Sequence, residues 1–120
     1  MNEGELLITL LNSATVAHVL HLQSRSYSEH KALQGFYRAI PDLVDAVVEA
    51  WQGRYGELIE YPNQTVELSD HRDALEYLMF LKILVEDDRY VLGDASEIQN
   101  LVDGIAELID STLYKLTFLK

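Results

Sequence analysis

Apolar positions recur with a helical period along most of the chain. Leu7, Leu11, Ala14, His18 and His21 follow one another in steps of four and three, flanked by Leu6, Leu10, Ala17 and Leu20. Such a stripe predicts a first helix over residues 3–23 and puts both histidines on or beside its buried seam. Two serines then bracket Arg25, and Ser26 or Ser28 is placed to cap a second helix with Glu29 in its first turn. That helix spans 27–52, with Leu33, Tyr37, Ile40, Val44, Val47 and Trp51 as its core stripe. Pro41 lies inside it and predicts a kink, or else two helices meeting at 39–41. A third helix over 70–90 carries YLMFLKILV, apolar nearly all round, and is expected either in the centre or under a second subunit. Asp94 or Ser96 caps a fourth over 95–119, where Ile98, Val102, Ile105, Ile109, Thr112, Leu116 and Leu119 keep steps of four and three.

The expected class is therefore all-α, a four-helix bundle forming one domain over 1–120. Residues 54–69 (RYGELIEYPNQTVELS) have no helical period and form the long connection. Fifteen or so extended residues reach about 50 Å, and a 25-residue helix is about 38 Å long. The segment is long enough to cross the whole bundle, which permits an up-down-down-up path without requiring it.

Composition narrows the function. Two prolines and six glycines in 120 residues favour a few long elements, and the absence of cysteine excludes disulfides, thiolate metal sites and thiol nucleophiles. The net charge of −11 comes with scattered lysines and arginines, so no nucleic-acid partner is expected. The acidic start does not read as a secretory signal, and no apolar run reads as long enough for a bilayer. A soluble cytoplasmic protein is expected, with no membrane partner. An acidic surface also concentrates cations.

The candidate chemistry is a histidine cluster followed by two carboxylates. His18, His21 and His30 fall within thirteen residues, and Asp45 and Glu49 follow on the second helix. Imidazole and carboxylate suit iron or another divalent metal. With Val44 at the middle of the core face, His30 lies about 40° to one side, Asp45 about 100° and Glu49 about 140°. The two carboxylates neighbour each other but face away from their own core, so a metal shared with His18 or His30 would be completed across a subunit contact. His21 fits better as a supporting residue or alternate ligand. The competing reading is structural, with His18 and His21 as interhelical hydrogen-bonding residues. His71, beside Asp70 and Asp73 in the expected first turn of the third helix, receives no role. Tyr37 and Trp51 read as core.

HKALQGFYRAIPDLVDAVVEAWQG resembles the second helix of the Dps proteins, the miniature ferritins of starved bacteria. His30, Gly35-Phe36, Asp45, Glu49 and a closing Gly53 carry the likeness, and His18, after Ala17, falls on the family's earlier histidine. Asp110 before LYKLTFL is similar to the start of the family's last-helix aromatic run. The resemblance implies a ferritin-like fold and a ferroxidase iron site between two subunits, two histidines from one chain and an Asp and a Glu from the other. It also implies a homo-oligomer, dimer or larger cage. The departures are equally concrete. HLQSRSYSEH has neither the tryptophan nor the glycine usual between the first two helices, Gln34 stands where a carboxylate is common, and no Lys-rich tail is present. HVLHLQ followed by SYSEHKALQGFY is also similar to small phage-encoded proteins.

Two expectations follow. One is a Dps-like protein that binds iron, with ferroxidase or storage activity, through His18, His30, Asp45, Glu49 and alternatively His21. The other is a non-enzymatic interaction protein, a homodimer that keeps the scaffold without the metal chemistry. No Glu-x-x-His occurs, which opposes a di-iron centre within one chain. The sequence also lacks a phosphate-binding glycine loop and a His-Glu-x-x-His motif.

Overall fold

Local capping sets where the helices begin. Asn2 accepts a hydrogen bond from the Glu5 N–H, Ser26 from Glu29 and Asp73 from Glu76, so three helices start on side-chain oxygens that satisfy otherwise orphaned amides. The computed structural model describes residues 1–120, the Ser69 side chain excepted. Its four long helices are α1 (Glu3–Gln23), α2 (Tyr27–Tyr55), α3 (Ala74–Asp88) and α4 (Ser96–Phe118), with single 3-10 turns at Leu68–Asp70 and Arg89–Leu92. The protein is all-α, and no strand occurs among the described residues. α2 stops at Gly56, whose φ of +68° is the left-handed conformation that glycine adopts without strain. At about 1.5 Å per residue its 29 residues span about 44 Å, which matches the 45 Å long dimension of the molecule.

One core lies between the helices. α2 contributes Leu33, Phe36, Ile40, Val44 and Val47, and α4 contributes Ile98, Val102, Ile105 and Ile109. α1 packs on α2, α2 on α4, α4 on α3 and α3 on α1. The connection 56–73 runs along α1. The Ile59 N–H donates to Gln52 Oε1, the Glu60 carbonyl lies against Gly4, and Gln64 hydrogen-bonds both Thr9 and Asn12. It delivers Ala74 to the end of the molecule where Ser26 begins α2 and Leu116 approaches the end of α4. α1 and α4 therefore run one way and α2 and α3 the other, so the crossing that the linker length permits is made.

Several expectations shift. α2 extends three residues beyond 52 and runs unbroken through Pro41, so the two-helix alternative does not hold. α3 begins at Ala74 rather than 70, and its last turn becomes the Arg89–Leu92 3-10 turn. α4 begins at Ser96 after Ala95, with no side-chain cap from Asp94 or Ser96. The buried stripe of α1 is Leu6, Leu10, Ser13, Ala17 and Leu20 together with Leu7, Val16 and His21, so Leu11 and Ala14 are only partly buried and His18 is exposed. α1 is also long and apolar enough, by length and composition, to cross a membrane, contrary to the sequence expectation. Its apolar face meets the core, and the connection lies along another side. α3 is not central: Leu75, Met79, Phe80 and Ile83 are exposed.

Candidate functional site

The turn between α1 and α2 is three residues long, and the histidines close it. Residues three apart on a helix share a face, as do residues seven apart, so His18 and His21 on α1 meet His30 and Tyr37 on α2. His21 Nδ1 lies 2.6 Å from the His30 carbonyl oxygen, and His30 Nδ1 lies 2.9 Å from the His21 carbonyl oxygen. A carbonyl oxygen only accepts, so both rings carry their hydrogen on Nδ1. The two rings stack at 3.5 Å with 18° between their planes. Ser24 continues the closure, its N–H donating to the His21 carbonyl and its hydroxyl to the Glu29 carboxylate.

His18 stacks on Tyr37 at 4.1 Å with the planes 9° apart, and the His21 ring meets Tyr37 edge-on at 5.2 Å. The four rings form one cluster whose inner member, His21, is only 6% exposed. Among the described residues no buried side-chain nitrogen or oxygen lacks a partner. Neither His21 Nε2 nor His30 Nε2 makes a hydrogen bond among the described residues, and neither is fully enclosed.

This geometry tests a metal directly. A Zn–imidazole bond is about 2.1 Å long and lies in the ring plane. Planes 3.5 Å apart and tilted by 18° meet only about 11 Å away, so His21 and His30 as arranged do not ligate one ion together. Each ring does have the Nδ1–carbonyl bond that fixes a ligating histidine's tautomer. Asp45 and Glu49 lie exposed on α2, as their helical phase predicts. Tyr61 from the connection lies near Asp45, and its phenol is raised above its ordinary value by burial first and by the Asp45 charge second. Among the described residues no three His, Cys, Asp or Glu side chains gather as a metal site. The structure thus brings together His18, His21 and His30, and leaves Asp45 and Glu49 facing outward.

His71 is not in a helical first turn. It precedes α3 and tilts against Tyr77 at 4.8 Å, beside a cleft of about 260 Å³ between α1, α3 and the connection. The other tight turn has its own polar knot, which periodicity does not signal. Buried Gln99 donates to the Arg89 and Gly93 carbonyls and accepts from Arg89 Nε, while Arg89 Nη2 pairs with Asp103.

Residues 21–116 match a family described as a family of unknown function (DUF5856). No curated protein and no solved structure matches the chain.

Proposed function

We propose that the chain, which belongs to the family of unknown function DUF5856, is a non-enzymatic interaction module, a ferritin-type four-helix bundle that works as a cytoplasmic homo-oligomer. The up-down-down-up path with one long crossover supports the ferritin-type reading. The observation that carries the non-enzymatic reading is the stacking of the His21 and His30 rings, which as arranged do not ligate one ion together. The test is an anaerobic Fe(II) or Zn(II) titration followed by calorimetry. The expected result is no saturable heat, and saturable binding that disappears in a His30→Ala, Glu49→Ala variant would overturn it.

A second reading rests on a different observation: exposed His18 and the outward pair Asp45 and Glu49 are all open to a neighbouring molecule. In that reading the protein is Dps-like and binds iron, or another divalent metal, between subunits. His18 and His30 come from one chain, Asp45 and Glu49 from the next, and His21 supports His30 from beneath. Fe(II) held there would keep open positions for an external oxidant such as dioxygen, which would take the electron as the iron becomes Fe(III).

A further inference from the structure

The surface opposite α2 is not finished as a monomer's surface. α3 turns Leu75, Met79 and Ile83 outward along one flank for more than two turns, while exposed Phe80 stands toward α1 and the connection, at the cleft beside His71. The Lys82–Asp110 ion pair joins that flank to α4. One and two turns beyond Asp110 stand Tyr114 and Phe118, their rings 5.7 Å apart, with Leu119 next. The six residues Leu75, Met79, Ile83, Tyr114, Phe118 and Leu119 leave 39–72% of their surface in solvent. At about 200 Å² for a large side chain, they expose roughly 600 Å². That is the top of the range for the largest apolar patch on an ordinary monomer, about 300–600 Å², and two such faces together reach about 1,200 Å², the lower end of a standard interface.

The layout of the patch favours a copy of the same chain. Met79 has Leu75 one turn before it and Ile83 one turn after it. A two-fold axis at Met79 lays Leu75 of one copy against Ile83 of the other, which is the self-complementarity an isologous contact needs. The charges around the patch are mixed, Lys82, Lys115 and Lys120 against Glu76, Glu86, Asp87, Glu107 and Asp110, a small share of the chain's net charge of −11. Most of the repulsion between two copies therefore lies away from this face.

We infer that the α3–α4 face is the contact between two copies of this chain, paired about a two-fold axis near Met79. The inference rests on the homo-oligomeric reading above and assigns its surface. The chain contains no cysteine, so a single introduced one reports proximity cleanly. Sedimentation equilibrium of the native chain should give twice the 13.7 kDa monomer mass at tens of micromolar. Met79→Cys should oxidise to a covalent dimer, while Glu49→Cys, on α2, should not. Met79→Glu should weaken dimerisation at least a hundredfold with helical circular dichroism retained, and Phe118→Ser provides the same readout from α4 should Met79→Glu fail to fold. A native dimer that neither cross-links through Met79→Cys nor weakens in these variants overturns the assigned face and leaves the homo-oligomeric reading standing. A native chain that stays monomeric at several hundred micromolar, as expected if the face serves a different protein, overturns both.

Discussion

Alanine at Gly4 and alanine at Gly35 should move stability in opposite directions, although both replace a helical glycine. In an open helix the exchange stabilises by about 0.5–1 kcal/mol, because glycine loses more conformational freedom on folding. Gly35 is exposed on α2 with nothing within 4 Å of an added Cβ, so it should show that gain. At Gly4 the same carbon would sit 1.9 Å from the Glu60 carbonyl oxygen and 3.3 Å from the Tyr61 Cα. Ordinary contact begins near 3.4 Å, so the connection must withdraw by about 1.5 Å. That withdrawal pulls on Ile59, which is buried and donates its N–H to Gln52. The hydrogen bond contributes about 0.5–1.5 kcal/mol, and full burial of an isoleucine about 1.5–3 kcal/mol, of which a part would be lost. After the helix gain is subtracted, Gly4→Ala should destabilise by about 1–3 kcal/mol. Urea unfolding followed by circular dichroism measures this as a lower midpoint at unchanged slope. Trp51, the single tryptophan, lines the same cleft as Gly4 and Ile59, so its emission should shift to the red in Gly4→Ala alone. A Gly4→Ala protein as stable as Gly35→Ala would refute the close approach of the connection to α1.

Two further outcomes follow from buried polar groups and phenols. His21→Ala and His30→Ala should each cost about 1–3 kcal/mol by removing a ring-to-carbonyl hydrogen bond and a stacked ring. The double variant should cost less than their sum, since the stack is shared, and additivity within about 0.3 kcal/mol in denaturant unfolding would mean that the rings do not act together. Burial raises the Tyr77 phenol far above its ordinary value of 10.0. Above that pH the unfolded chain releases a proton that the folded chain keeps, so this contribution to stability is present below pH 10 and is lost as pH rises toward the folded value. Absorbance at alkaline pH should show one of the seven tyrosines ionising only as helical dichroism is lost. Reversible ionisation of all seven with the helices intact would contradict it.

The helices legible in the sequence are those with one dry side. α2 and α4 have a narrow apolar stripe, and five of the six residues read as the α2 core are buried, Tyr37 being the partial exception. α1 misleads because the core takes one side of it and the connection lies along another. Apolar residues are then tolerated nearly all round, and the phase of the stripe is lost. The spacing puts His18 on or beside the seam, whereas the structure puts Ala17 and His21 inside and His18 in solvent. The sequence places His18, His21 and His30 within thirteen residues across one turn. It could not show that two of them would bond to backbone carbonyls, because a carbonyl partner leaves no trace in the residue sequence. The Gln99–Arg89 knot is invisible for the same reason, since four of its bonds end on main-chain or side-chain oxygens whose positions depend on the turn.

The placement of the two surfaces links assembly to chemistry. α3 contacts α1 and α4 and α2 contacts the same two helices, so α2 and α3 lie diagonally across the core. A dimer formed through α3 and α4 therefore leaves His18, Asp45 and Glu49 in solvent, each copy with its carboxylates far from the other's histidines. A metal held between chains then needs a second, different contact that brings α1 of one copy to α2 of another. One isologous contact closes at two copies, whereas two distinct contacts on one chain build larger assemblies. Mass thus discriminates between the readings: the interaction module stops at a dimer that binds no metal, and the metal-binding reading requires a larger particle. A dimer that binds one Fe(II) per subunit through His30 and Glu49 would break this reasoning, because it would place the metal site and the only subunit contact on the same face.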